Sequence, residues 1–229
     1  MNVYDSHRMM DVLKDNCYEI VEQPDQADLM LVNTCAVREK AAMKLYSDLG
    51  RLRTKKKQGA VLAVSGCMAQ AHGEAIIKHA PYVDLVMGPQ TYHRLASLIH
   101  QARQTPGIVD LEFPTEDKFD ALPEETAAQG PMSFLAVQEG CDKFCHYCIV
   151  PYTRGAEFSR PVSRVLKEAE LLIQQGAQDI TLLGQNVNAY HGLDDQGAEW
   201  GLGRLIMHLA QTFPQVQRWR YTTSHPQDI

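Results

Sequence analysis

No apolar run in the 229 residues approaches the roughly 20 that a bilayer-spanning helix needs. The opening Met1-Asn-Val-Tyr-Asp5 lacks the charged and then greasy pattern of a secretion leader. Both absences lead to the expectation of a cytoplasmic, globular protein with no membrane partner. Positive charge is not in excess either. With 22 Lys and Arg against 28 Asp and Glu, the net charge of -6 argues against a strongly basic nucleic-acid-binding body. The local exception is Arg51-Leu-Arg-Thr-Lys-Lys-Lys57, which reads first as cations near the C-terminal dipole of a helix, with nucleic-acid contact as the alternative. With no leader, six cysteines point to metal or catalysis more than to a disulfide pair with a free thiol. With 45% hydrophobic residues, there is ample material for one large or two ordinary cores.

A fourth cysteine is missing where one would close the set. Cys141-Asp-Lys-Phe-Cys145-His-Tyr-Cys148 follows the apolar run Phe134-Leu-Ala-Val-Gln138, and residues 149–186 offer no further thiol. Thiolates hold iron-sulfur clusters, and a cubane 4Fe-4S cluster has four irons. Three closely spaced cysteines therefore bind three corners and leave one iron open to chemistry, unlike the closed cluster of a ferredoxin. Zinc held by the three thiolates and His146 is the competing reading. It requires a histidine between two of the cysteines to fold back into one tetrahedron, whereas structural zinc sites usually draw on two separated pairs.

Hydrophobic patterning gives an α/β chain. In residues 1–104, runs 28–33, 60–65 and 83–87 read as buried strands, and 5–14, 38–56, 73–80 and 91–104 as helices, a succession that implies a parallel sheet with crossover helices. The first helix should follow a strand that is absent, so the chain is expected to begin one element late. Residues 105–131 carry Pro106, Pro114, Pro123 and Pro131 among Asp110, Glu112, Glu116, Asp117, Asp120, Glu124 and Glu125, and read as a linker. From residue 132 the alternation resumes: strand 134–137, the cysteine loop, helix 163–175 closed by Gly176, strand 179–183, helix 203–211 and strand 218–222.

Parallel sheets bind ligands at the carboxyl ends of their strands. That rule groups Cys141, the run Gly184-Gln-Asn-Val-Asn-Ala-Tyr190 and Thr223-Ser-His-Pro226 on one rim. In the first half it singles out Cys35 and Cys67, each just past an apolar strand and able to share a second cluster; buried small core residues are the alternative. Cys17 has no such setting and reads as structural.

The C-x3-C-x2-C spacing, with Tyr147 before its last cysteine, resembles the radical S-adenosylmethionine enzymes. That resemblance implies that S-adenosylmethionine binds the open iron, that an electron from the cluster releases a 5'-deoxyadenosyl radical, and that Tyr147 lies near the adenine. Core packing is the alternative role for Tyr147. Longer stretches resemble the methylthiotransferases from end to end: Met1-Asn-Val-Tyr-Asp-Ser6, Asn33-Thr-Cys-Ala-Val-Arg-Glu-Lys-Ala41, Gly66-Cys67, Val83-Asp-Leu-Val-Met-Gly-Pro-Gln90, Val150-Pro-Tyr-Thr-Arg-Gly155, Ser159-Arg-Pro161, Leu183-Gly-Gln-Asn-Val-Asn-Ala-Tyr190 and Thr222-Thr-Ser-His-Pro226. The branch they are most similar to is the tRNA-2-methylthio-N6-dimethylallyladenosine synthases.

The resemblance implies a doubly wound N-terminal domain (residues 1–104) and the first half of a partial (β/α) barrel (residues 132–229). It implies two 4Fe-4S clusters, one on Cys141, Cys145 and Cys148 and an auxiliary one on Cys35 and Cys67. The auxiliary cluster's remaining family cysteine would sit two residues before Met1. The family continues through further strand-helix units and an RNA-binding domain, so the expectation is a fragment. Also implied are S-adenosylmethionine contacts from Gln185 and Asn186, and cofactor or base contacts from Arg154 and Tyr190, with a structural role as the alternative for each. The implied partners are the anticodon loop of tRNA, a sulfur donor, and an electron donor such as flavodoxin or ferredoxin.

Overall fold

A computed structural model describes residues 1–36, 39–114, 118–123, 126 and 129–228, with only the backbone of Glu39. Arg38, at the start of an expected helix, Val37 before it, and Glu116, Asp117, Glu124 and Glu125 of the expected linker lie outside the described residues. The chain divides into two compact units, one built from Asn2 and Tyr4–Pro123 and one around Glu124–Ile229. No helix among the described residues is long and apolar enough to cross a membrane.

The first unit comprises α1 (Asn2–Asp15), β1 (Leu29–Asn33), α2 (Glu39–Arg53), β2 (Val61–Ser65), α3 (Cys67–His79), β3 (Leu85–Met87), α4 (Leu95–Gln104) and β4 (Ile108–Asp110). Its four strands pair in the order β1-β2-β3-β4, all parallel. All five residues of β2 are buried, and they alternate between two cores. Val61 and Ala63 pack with Met9 and Val12 of α1 and with Leu95 and Ile99 of α4. Leu62 and Val64 pack with Leu45 and Leu49 of α2 and with Met68, Ala69 and Ile76 of α3. Because successive strand residues point to opposite faces, a continuous apolar run is what a sheet covered on both sides requires. The unit is therefore doubly wound, and each fully buried Val or Leu contributes roughly 1.5–3 kcal/mol.

Two features depart from expectation. Residues 105–131 are not simply a linker. Ile108–Asp110 adds the fourth strand, Leu122 and Phe119 pack into the core shared by α1 and α4, and Lys118 Nζ donates to the carbonyl of Pro89 at 3.1 Å. The acidic, proline-rich composition hid a strand too short to show alternation, and the first unit extends to Pro123. Helix α3 also begins at Cys67, six residues before the expected 73, because Gln70, His72 and Gly73 mask its periodicity.

The second unit comprises β5 (Met132–Ala136), β6 (Gln138–Glu139), α5 (Val150–Arg154), β7 (Phe158–Ser159), α6 (Val162–Gln174), β8 (Asp179–Leu183), β9 (His191–Leu193), β10 (Glu199–Gly201), α7 (Leu202–Thr212) and β11 (Arg218–Thr222). A parallel sheet of order β11-β8-β5 sets Met132 and Arg218 on either side of Asp179. Against Leu135, Ile180 and Leu182 pack Val165, Ala169 and Leu172 of α6 and Leu205 and Leu209 of α7. Helix α6 stops at Gly176 (φ 99°), where Ala177 N–H donates to Leu172 O at 3.0 Å and Gly176 N–H to Ile173 O at 2.9 Å, a Schellman closure. The small antiparallel pairs β6-β7 and β9-β10, and helix α5, were not anticipated. Two or three residues are too few to carry a period, and α5 has a proline in its first turn.

Candidate functional site

β6 leads directly into the cysteine loop of residues 140–149. Gly140 opens it at φ 74°, and a Cβ there would lie 1.9 Å from the carbonyl oxygen of Ala156, so only glycine fits. Its N–H donates to Gln185 Oε1 at 2.7 Å. Gln138 Nε2 donates to Gly140 O at 2.7 Å, while Gln138 Oε1 accepts the N–H of Asn186 at 3.1 Å. The root of the loop is thus fastened to the segment that follows β8. Further along, Cys148 N–H donates to Cys145 O at 2.8 Å and closes a turn.

The three thiols sit at graded depth and none forms a disulfide: Cys141 is buried, and Cys145 and Cys148 are half-buried. Burial pushes the Cys141 thiol above its ordinary value, a backbone N–H from Lys143 opposes this, and the charges of Glu157, Cys148 and Cys145 add to the rise. Crowded thiolates repel one another, and a cationic metal core is what makes such a set favourable. The donor set fits three corners of a 4Fe-4S cluster. His146, the fourth ligand in the zinc reading, is exposed. The imidazole that touches a thiol is instead that of His225, with Nε2 3.5 Å from Cys145 Sγ.

The other expected residues divide by what already holds them. Tyr147 is 92% exposed on the lip of the loop, free of the core-packing role. Gln185 spends its Oε1 on Gly140. Asn186 is buried, its Nδ2 donating to Asp228 Oδ2 at 2.7 Å and its Oδ1 accepting the N–H of His225 at 2.9 Å. Arg154 is buried against Glu139, with Nη1 2.5 Å from Oε1, and so ties α5 to β6. Tyr190 is buried and donates to Arg160 O at 2.8 Å; burial holds its hydroxyl far above the ordinary phenol range. These partners hold Asn186, Arg154 and Tyr190 in place. Spacing could not reveal His225, Asp228 or Lys143, whose ion pair with Asp228 spans 2.8 Å. The sequence signals for His225 were the polar run that follows a strand and the Thr222-Thr-Ser-His-Pro226 stretch that resembles the methylthiotransferases.

In the first unit the parallel register pairs Asn33 with Ser65 at the carboxyl ends of β1 and β2. Cys35 and Cys67 each lie two residues beyond that pair. Thr34 N–H donates to Ser65 O at 3.0 Å and Met68 N–H to Thr34 O at 3.1 Å, lacing the two segments together. Gly66 has φ 94°, and a Cβ on it would lie 2.4 Å from Asn33 Oδ1 and 2.7 Å from Thr34 O. Cys35 is half-buried, and Cys67 is buried as the first residue of α3. Asn33 Oδ1 and Ser65 Oγ, at the ends of β1 and β2, are buried without a hydrogen-bond partner. Cys17 is exposed at the end of α1.

Residues 1–88 match the family described as Uncharacterized protein family UPF0004, and residues 135–213 match the radical SAM superfamily. The second unit therefore carries a radical SAM domain, a type that uses S-adenosylmethionine and a 4Fe-4S cluster. The two in this order form the architecture of the methylthiotransferases. Among solved structures, the chain resembles the radical S-adenosylmethionine methyltransferase TsrM from Kitasatospora setae. The form with tryptophan substrate and the analog aza-SAM bound has a TM-score of 0.60 at 14% identity, over 82% of this chain and 46% of that one. The form with cobalamin and a [4Fe-4S] cluster bound has a TM-score of 0.56 at 15% identity, over 81% and 45%. At such identity the likeness concerns the fold alone, and the chain spans less than half the length of that protein.

Proposed function

We propose that this chain forms part of a cytoplasmic radical S-adenosylmethionine methylthiotransferase that modifies carbon 2 of N6-isopentenyladenosine next to the tRNA anticodon. The observation that carries the reading is the coincidence, on one chain, of the UPF0004 match, the radical SAM match and a three-thiol loop with no fourth cysteine. In it, Cys141, Cys145 and Cys148 hold one 4Fe-4S cluster and Cys35 and Cys67 contribute to a second. When bound, the cluster and S-adenosylmethionine supply the radical chemistry that carbon 2 needs, since no side-chain base removes its hydrogen at neutral pH.

The chain's own residues supply position. Cys141, buried, and Cys145 and Cys148, half-buried, would be the residues that hold the cluster. Tyr147 stands exposed on the lip of the loop, where an adenine can lie against its ring. Gln138, Gln185 and Asn186 hold the loop's root at a fixed height above the sheet. The Arg154–Glu139 pair ties α5 to β6. An anticodon-loop base is already single-stranded, so bringing it to such a site is less costly than extrusion from a duplex. A sulfur donor and an electron donor such as flavodoxin or ferredoxin complete the partners.

The runs 150–155 and 184–190 favour the isopentenyl branch over relatives that act on threonylcarbamoyladenosine or on a ribosomal protein. The test is mass analysis of tRNA from a strain lacking the protein. The expected result is loss of the 2-methylthio nucleoside with accumulation of its isopentenyl precursor. An unchanged tRNA profile would overturn the assignment.

A further inference from the structure

Three residues beyond β11, the chain turns back and brings the ring of His225 to the cysteine loop, with Nε2 3.5 Å from Cys145 Sγ. The other ring nitrogen, Nδ1, lies 3.2 Å from the backbone nitrogen of Gln227. A backbone N–H can only donate, so Nδ1 is an acceptor, and the proton of the neutral imidazole resides on Nε2. The atom that faces sulfur is therefore a donor.

The ring is held in place from several directions. Its own backbone N–H donates to Asn186 Oδ1, and the Asn186 amide donates to Asp228. Asp228 in turn pairs with Lys143, inside the cysteine loop. The backbone is also bent into the left-handed region on both sides of the contact: Thr223 at φ 72° and Phe144 at φ 48°. Threonine is β-branched and phenylalanine bulky, so each conformation is strained and persists only where the surroundings impose it. Strain of this kind is characteristic of positions where a precise contact matters.

We propose that His225 is a positioning residue for the cluster: its Nε2–H donates a hydrogen bond to the sulfur of Cys145 and raises the cluster's reduction potential. The inference rests on the radical SAM reading given above. A donor aimed at a ligating sulfur stabilises the more negative, reduced state of the cluster, which is how hydrogen bonds to sulfur tune such centres.

The test uses the full-length enzyme with Cys35→Ala and Cys67→Ala, which leaves one cluster, reconstituted anaerobically with iron and sulfide and titrated potentiometrically with EPR detection. His225→Phe, which has no donor, should shift the potential to a more negative value. His225→Gln, which keeps an N–H at nearly the same reach, should return it close to that of the parent. A parent protein that takes up no iron or sulfide overturns both this inference and the radical reading. A cluster that assembles but whose potential ignores His225→Phe, or shifts equally in both variants, overturns the inference alone. A second readout needs neither the cluster nor those variants: ¹⁵N-histidine NMR of the metal-free protein should show His225 as the Nε2–H tautomer, with a shift that changes on Cys145→Ser. An Nδ1–H tautomer would overturn the proposal.

Discussion

Each unit sets a glycine directly before a cysteine just past a strand, and in each the glycine has a positive φ with no room for a Cβ: Gly66 before Cys67 and Gly140 before Cys141. The same device serves two different constructions. In the second unit all three thiols come from residues 141–148, so a local loop assembles the ligand set. In the first, Cys35 and Cys67 follow different strands and meet at one edge only because β1 and β2 pair in parallel with Asn33 beside Ser65. A local set tolerates changes elsewhere in the sheet; a set built on register does not.

The largest expected effect separates the two constructions by cysteine. Cys148→Ala should abolish cofactor cleavage and remove the iron and sulfide of the second unit, whereas Cys35→Ala with Cys67→Ala should lower the iron content and leave cofactor cleavage standing. Iron and sulfide analysis of anaerobically purified full-length protein, together with a 5'-deoxyadenosine assay, checks both. Equal iron in the parent and the double variant would remove the second cluster.

Next is the frame beneath the loop. Arg154→Met takes the cation from Glu139 in a pair whose side chains are 2% and 3% exposed, and should destabilise the fold by about 3–5 kcal/mol, measured by denaturant unfolding of the metal-free chain. A loss of activity without loss of stability would instead mark Arg154 as a direct contact.

The glycines sharpen the comparison. Gly66→Ala and Gly140→Ala should each destabilise by about 1–3 kcal/mol through φ strain, seen as a lowered thermal midpoint. Gly140→Ala should be the worse of the two. Its Cβ would meet a backbone carbonyl oxygen at 1.9 Å, whereas the closest atom to a Cβ on Gly66 is a side-chain oxygen at 2.4 Å.

The smallest effect has the opposite sign. Cys17, at φ 62°, ends α1 in the same Schellman geometry that Gly176 provides for α6: Tyr18 N–H donates to Leu13 O and Cys17 N–H to Lys14 O, each at 3.0 Å. Cys17→Gly relieves left-handed strain and should stabilise the protein by roughly 0.5–1 kcal/mol without changing its iron content. A fall in iron would place Cys17 among the ligands.

Much of this molecule was legible in one dimension. The continuous apolar runs of β1 and β2, the helical spacing of α2, the Gly176 stop and the three-cysteine loop are each written within a dozen residues. Strands β8 and β11 fall at the positions expected, 179–183 and 218–222. Ile108–Asp110 was not legible, because three residues of strand inside an acidic, proline-rich run carry no period. Arg154 and Tyr190 look like candidate contacts in the sequence, yet Glu139 and the Arg160 carbonyl engage them in the fold.

By itself, then, the sequence determined the α/β class, the order of most elements and a thiol set with one corner left open, because periodicity and ligand spacing are properties of neighbours along the chain. The tertiary structure supplied the register that brings Cys35 and Cys67, singled out in sequence, to one sheet edge, and it alone decided that His225 turns back to Cys145. Those placements depend on strand register and on hydrogen bonds between residues far apart in sequence, which no local pattern encodes.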